Sequence, residues 1–342
     1  MKHVLITGAN GEIGHGLIQQ LARQADVAIY ALDLHPLDPA LQQHCALVQQ
    51  GDITDPRSLA AFQDVPIDWI FHLAAILSTS AEKQPETAHR VNIDGMLNIL
   101  TFAQRNGQQF NHRVTVLFPS SIAVYGIPAL AQKHSAGPIT EDQWVTPITM
   151  YGANKVYSEL LGRYYSDFYR LLDPHTTRYV DFRSVRFPGI ISAFTLPTGG
   201  TSDYAPEMLH AAAQGKPYAC FVREDTIIPF MVMPDAVNAL LWLAQAPGEQ
   251  LTRRVYNVQS FSLTAQEFAD KVRQFFPDFQ ITFDPDPQRQ RIVDSWPAAV
   301  DDSAARRDWN WHPHYDLERA FTEYLIPNIR RRYATATVAS EQ

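Results

Sequence analysis

The sequence is poor in cysteine: Cys45 and Cys220 are its only two, far apart and with no CxxC pair or metal-ligand spacing. A disulfide framework and a cysteine-bound zinc are therefore not expected, and both side chains read as buried thiols. "HPH" at His312 to His314 is too small a cluster to hold a metal. Basic clusters are also missing: Lys+Arg 28 against Asp+Glu 36 gives a net charge of -8, with no interleaving of basic and aromatic residues. That balance argues against nucleic acid as a partner. No apolar run approaches the roughly 20 residues of a membrane span. The first strand carries neither a basic n-region nor a cleavage site, so no export signal is expected and the cytoplasm is the expected location. What remains, at 46% hydrophobic and 19% charged, is an ordinary globular composition. Its length suits one large α/β domain or a domain with a smaller cap.

Against that background the opening stretch "VLITGANGEIG" stands out. Val4 to Thr7 reads as a buried strand, whereas Ile13, Leu17, Ile18 and Leu21 repeat at helical spacing. Gly8, Gly11 and Gly14 thus fall on a strand-to-helix turn, where glycine lets backbone N–H groups approach a ligand and a helix aims its positive end at negative charge. The spacing is GxxGxxG, which asks for a dinucleotide pyrophosphate. Further strands are expected at 26–33, 45–52, 68–75, 113–121 and 178–187. Long helices are expected over Pro85–Gln104 and from Tyr151 to about Leu171. Strands alternating with helices predict a doubly wound parallel sheet of the Rossmann type. Beyond Pro188 the alternation stops, and Gly, Pro, Ser and Thr concentrate up to Pro206, as in a cap over the strand ends. The expected division is a dinucleotide-binding domain over 1–187, with 227–260 returning to it. A substrate cap takes 188–226 and 261–330, and a flexible tail 331–342. Thr264 with Glu267 forms a capping box opening a helix in the cap.

The chemistry lies at strand ends. Asp33 closes the second strand, where a carboxylate accepts both hydroxyls of an adenosine ribose and repels a 2′-phosphate; no Lys or Arg follows within "DLHPLDP", so NAD is expected over NADP. Asp52 ends the next strand, within reach of an adenine. Tyr151 and Lys155 in "YGANK" share one helix face. An ammonium there favours the phenolate, moving a group of ordinary pKa about 10 toward use as a base near neutrality. "PSSIAVYG" puts Ser120 and Ser121 at a strand end, where a hydroxyl can hold a substrate oxygen.

Taken together, the glycine turn, the acid, the strand-end serine and the Tyr–Lys pair resemble an extended short-chain dehydrogenase/reductase, the superfamily that includes nucleotide-sugar epimerases. The resemblance implies NAD as cofactor and Ser121, Tyr151 and Lys155 as the catalytic trio, with Lys155 also on the nicotinamide ribose. It further implies that "HLAA", with Leu73, Ala74 and Ala75, lines the cofactor. Gly8, Asn10, Gly11, Glu12, Ile13, Asp33, Asp52, Ile53, Asn92, Pro188 and Ile190 are its other implied contacts.

Within that superfamily, nucleotide-sugar enzymes read "RDYIHVxD" where the cap meets the sheet; "IPFMVMPD" puts Ile228 in place of the arginine that holds a diphosphate. The stretches "HLAAILS", "RFPGIIS", "PTGGTSDYA", "DSWP" and "DDSAARRDW" instead resemble the short-chain-type L-threonine 3-dehydrogenases. That likeness implies a small amino-acid site formed by Ser78, Ser121, Tyr151, Gly200, Thr201, Ser202 and Trp296. The family has threonine at the positions of Ser121 and Ser202, which leaves a related 3-hydroxy acid as an alternative substrate. A nucleotide-sugar epimerase or dehydratase is the other alternative. A redox-sensing module without catalysis would not need the Tyr–Lys pair, and the zinc-dependent type of threonine dehydrogenase is excluded by the cysteine count. The family generally pairs through two long helices, and Tyr164, Tyr165 and Phe168 are expected to be exposed for such a homodimer.

Overall fold

Short β-branched and apolar stretches, each ended by glycine or a polar residue, set the strand lengths. The computed structural model describes residues 1–197 and 199–340. Its main sheet contains β1 (Lys2–Thr7), β2 (Val27–Asp33), β3 (Leu47–Gln50), β4 (Trp69–His72), β5 (Val114–Ser121) and β6 (Val180–Phe187). After β7 (Gly189–Ile191), β8 (Tyr218–Cys220) and β9 (Ile227–Val232), which lie elsewhere, β10 (Val255–Asn257) completes it. These strands form a seven-stranded sheet in the order β3-β2-β1-β4-β5-β6-β10, every pair parallel.

Both faces of this sheet are buried, so its strands read as continuous apolar runs. Period-two alternation decides which side each residue serves. Val4 and Ile6 pack with Leu17 and Ile18 of the first helix (Glu12–Leu21) and with Leu240 of the helix Met233–Gln245. Leu5 points the other way, toward Met96 and Leu100 of the helix Gly95–Phe110. The order in which strands are added to the sheet reverses at β1, with β2 and β3 on one side and β4, β5 and β6 on the other, which places a crevice at the carboxyl ends of β1 and β4.

The helix expected over 85–104 begins at Pro85, passes a π-turn at Arg90–Asp94 and runs to Phe110, where Asn111 turns left-handed at φ 52. The Tyr–Lys helix (Met150–Arg163) continues as a π-turn to Phe168 and stops short of the expected Leu171. Arg170, at φ 49, breaks it.

Two smaller sheets follow. β9 pairs parallel with β7 and antiparallel with β11 (Phe261–Thr264), and β8 pairs parallel with β12 (Ile281–Phe283). Of the stretch 227–260, the helix Met233–Gln245 packs on β5 and β6, and β10 pairs with β6. β9 lies in a separate sheet, where Phe230 meets Tyr204 edge-on and tilts against Phe268, in the helices Tyr204–Ala213 and Ala265–Phe275. The capping box is formed, Thr264 Oγ1 accepting the Glu267 N–H at 3.1 Å and the Glu267 carboxylate accepting the Thr264 N–H at 2.8 Å. Residues 331–334, expected in a tail, belong to a helix Ile326–Ser340. Arg332 donates to the Phe194 carbonyl and the Tyr333 hydroxyl meets His210 at 2.9 Å, which ties that helix to the cap. Residues 341 and 342 lie outside the described residues. No helix among the described residues is long and apolar enough to cross a membrane.

Candidate active site

The glycine turn leaves β1 at a place where no other residue fits. Gly8 sits at φ +69, and a Cβ there would lie 2.5 Å from the Ala74 nitrogen; one at Gly14 would lie 2.4 Å from the Ala9 carbonyl oxygen. The first helix is capped by Gly11 in an extended conformation, with no side chain on its N-terminal N–H groups. Across the turn, the Asp33 carboxylate accepts the Asn10 and His35 N–H groups, each at 2.9 Å, and is thereby fixed at the end of β2.

These features line one cavity of about 790 Å³, within the size range of small-molecule and cofactor sites. Its wall brings together Gly8, Gly11, Glu12, Ile13, Asp33, Asp52, Ile53, Leu73, Ala74, Ala75, Pro188 and Ile190 with Ser78, Ser121, Tyr151, Lys155, Gly200, Thr201, Ser202 and Trp296. Open N–H groups, a cradle that a Cβ would fill and a strand-end carboxylate fit a dinucleotide. Two expected contacts, Asn10 and Asn92, are not in the wall. The Asn10 side chain accepts the Asp38 N–H and pairs with His15. Asn92 is buried, its amide accepting the Ile76 N–H at 2.8 Å and donating to the Ile76 carbonyl at 3.1 Å, so it holds the loop after β4 from behind.

Thr149 caps the Tyr–Lys helix by accepting the Gly152 N–H, which starts the helix one residue before Tyr151. The Tyr151 hydroxyl hydrogen-bonds Ser121 at the end of β5. One turn on, the buried Lys155 donates from Nζ to the Pro119 carbonyl at 2.6 Å and lies 4.4 Å from the Phe118 ring centre. Burial pushes the Lys155 amine down to about 7, with Glu159 opposing. It pushes the Tyr151 phenol above its ordinary value, with the Ser121 hydrogen bond opposing. The direction for Tyr151 is the reverse of the one expected from an adjacent ammonium, because loss of water disfavours both charged forms. Behind the pair lies a feature with no local sequence signal: the Glu159 carboxylate accepts the Ser120 hydroxyl at 2.5 Å and Arg186 through two nitrogens at 2.9 and 2.6 Å.

At the other end, Thr201 donates to the Ser78 hydroxyl at 3.2 Å, Thr79 to the Gly199 carbonyl at 2.8 Å, and the Gly200 N–H to Asp203 at 2.6 Å. Thr79, Thr195 and Asp203 line the wall without having been singled out in the sequence. The Asp three residues after Gly200 was a readable turn signal. Lys155 is the only cation among the described lining residues. Ile228 is buried in β9 among core side chains and offers nothing to a diphosphate. No group of three or more His, Cys, Asp or Glu suited to a metal occurs among the described residues.

On the outer face of the Tyr–Lys helix, Tyr157, Leu160, Tyr164 and Phe168 are exposed. Tyr165, expected beside them, is buried at 7%: its ring stacks on Tyr169 and its hydroxyl meets Thr101.

Residues 4–258 match the NAD dependent epimerase/dehydratase family. The chain is 35% identical over 327 residues to the mitochondrial L-threonine 3-dehydrogenase of Bos taurus, covering 95% of this chain and 82% of that protein. It superposes on the holo form of a GalE-like L-threonine dehydrogenase from Cupriavidus necator with a TM-score of 0.82 and 36% identity, covering 95% of this chain and 99% of that one. A monomeric L-threonine 3-dehydrogenase from a metagenome gives 0.82 at 35% identity, covering 96% and 99%.

Replacing Gly14 by valine drives a side chain into the Ala9 backbone and displaces the first turn of the helix. NADH titration by fluorescence is expected to show affinity reduced about a hundredfold or more; unchanged affinity contradicts the placement of the pyrophosphate.

Proposed function

The chain belongs to the NAD-dependent epimerase/dehydratase family, and from that premise we propose that it oxidises the 3-hydroxyl of L-threonine with NAD, giving 2-amino-3-oxobutanoate. The observation that carries this reading is the far end of the cavity, where Ser78, Ser121, Thr201, Ser202 and Trp296 meet without an arginine. Hydroxyls and backbone N–H groups suit one small carboxylate and one hydroxyl. A nucleotide sugar would bring a diphosphate for which that end supplies no cation.

In this reading the N-terminal turn of the first helix, Gly8 and Gly11 receive the pyrophosphate, Asp33 the adenosine ribose and Lys155 the nicotinamide ribose. When bound, NAD supplies the hydride acceptor and a positively charged ring. The chain's own part is the proton. Ser121 orients the substrate hydroxyl toward Tyr151, which removes its proton as the C3–H bond breaks. Burial makes the Lys155 amine a weaker base than an ordinary lysine, so the ammonium is only partly formed near neutrality; where it is formed it stabilises the phenolate that a buried tyrosine otherwise resists. The working base is unprotonated Tyr151, so activity falls as pH falls.

The exposed row Tyr157, Leu160, Tyr164 and Phe168 supports a homodimer through the long helices. One of the similar structures is of a monomeric enzyme, and the oligomeric state is therefore part of the proposal. A cytoplasmic location is likewise proposed, carried by a cysteine-poor composition with both thiols free.

Three outcomes are expected. Titration of both cofactors gives tighter NAD than NADP binding, and Asp33→Ser narrows the gap; equal binding in the unaltered protein contradicts the role of Asp33. A substrate panel read at the NADH absorbance shows turnover with L-threonine. Its kcat/KM rises with pH by up to about tenfold per unit through neutrality, and Tyr151→Phe loses nearly all turnover while still binding NADH. Isomerisation of a UDP-sugar without net NADH would instead favour the epimerase reading. Sedimentation gives a dimer that Leu160→Glu shifts to monomer; a monomer at all concentrations overturns the dimer.

A further inference from the structure

The reaction just described makes no use of Arg289, although its backbone is fixed by a helix cap and its side chain is held by a ring and by two loop carbonyls. It lies in the first turn of the helix Pro287–Asp294, where the Asp286 cap accepts the Gln288 and Arg289 N–H groups at 2.8 and 3.1 Å. Its guanidinium carbon sits over the Phe221 ring, 3.2 Å from the ring centre. From there Nη2 donates to the Gly200 carbonyl at 2.6 Å and reaches the Gly199 carbonyl at 3.4 Å, while Nε is buried without a partner.

The segment it grips, Gly199 to Asp203, lines the hydroxyl-rich end of the cavity. Adjacent glycines, with Gly199 at φ +87, cannot hold one conformation by their own side chains. Part of the order comes from Asp203, which accepts the Gly200 N–H at 2.6 Å and donates its own N–H to the Gly200 carbonyl at 3.2 Å; the rest comes from outside the loop. Thr79 and Ser78 hold the loop from the main-sheet side, through the Gly199 carbonyl and the Thr201 hydroxyl. Arg289 holds it from the cap side.

We propose that Arg289 is a positioning residue that presents this loop to the substrate carboxylate. The reasoning rests on the reading of that cavity end as a small hydroxy amino-acid site. Peptide bonds here are trans, so a Gly200 carbonyl turned toward Arg289 turns the Thr201 N–H to the opposite side of the same peptide plane. A cation on the carbonyl also polarises that peptide and strengthens its N–H as a donor. The guanidinium charge thus acts on an anionic substrate through one peptide unit. This explains how the site dispenses with a lining arginine. Lysine would keep the charge and reproduce only part of the effect, since it lacks the planar fork that covers Phe221 and donates at the same time.

The test uses the full chain with Arg289→Met, Arg289→Lys and, in case Arg289→Met fails to fold, Phe221→Leu, which removes the stacking surface. Arg289→Met is expected to raise KM for L-threonine about ten- to a hundredfold, with NADH affinity within about twofold of the unaltered protein. Arg289→Lys recovers part of the loss, and Phe221→Leu gives a smaller rise in KM. Hydrogen–deuterium exchange over 199–203 speeds up in Arg289→Met without any substrate present. That arm separates the two proposals: if threonine is not a substrate at all, faster exchange confined to the loop still supports the positioning role. Unchanged exchange, or NADH affinity falling as far as threonine affinity, overturns it.

Discussion

Everything in the site depends on a lysine amine held out of water. Lys155 has the Pro119 carbonyl as its hydrogen-bond acceptor and the face of Phe118 beside it. Burying an ammonium without a carboxylate in contact is costly, and the amine responds by titrating near 7. The ion pair behind it is what makes the position tolerable: Glu159, one turn along the same helix, is locked to Arg186 of β6 and to Ser120 of β5. That buried pair joins the helix to two central strands. It also fixes Ser120, and with it the direction of the neighbouring Ser121. Sheet, helix and proton chemistry are thus one structure.

The charges around the cavity follow from the same economy of cations. Glu12, Asp33, Asp52 and Asp203 are in its wall, against Lys155 alone. In the proposed function the pyrophosphate of the dinucleotide would meet backbone N–H groups and a helix terminus, which need no side-chain charge. At the other end Arg289 donates to the Gly200 carbonyl, and in the proposed positioning role it acts from behind that peptide bond. Burial raises the Glu12 carboxyl, with the Thr195 hydroxyl opposing and Asp203 reinforcing, which makes this acid easier to neutralise beside a phosphate-binding turn. The architecture favours one small anion next to a cofactor over a second diphosphate.

Much of this was legible in the sequence because it is carried by short-range rules. Glycines in a strand-to-helix turn, an acid at the end of the next strand, and a Tyr and Lys on one helix face each state their geometry locally. The seven-stranded parallel sheet follows from the alternation of apolar runs. What escaped was long-range. Nothing near Arg289 marks it as the partner of glycines in a distant loop, and Glu159 and Arg186 meet only after the helix packs on the sheet. Asn92 has the right polarity for a ligand, but the backbone N–H and carbonyl of Ile76 take its amide first. Tyr165 was misplaced for a related reason: the π-turn at Tyr164–Phe168 rotates the helix face, sending its ring to Tyr169. The expected push on Tyr151 failed because spacing reports which charges are adjacent and says nothing about lost water.

The central claim is that hydride leaves C3 of L-threonine as Tyr151 takes the hydroxyl proton. The most direct measurement is turnover of L-threonine carrying deuterium at C3, followed by mass analysis of the reduced cofactor and of the rate. The account predicts deuterium in the NADH in equimolar yield with substrate consumed, and a rate slowed relative to the unlabelled compound wherever chemistry limits turnover. Reduced cofactor without deuterium, or no reduced cofactor from threonine alongside interconversion of a nucleotide sugar, would contradict it.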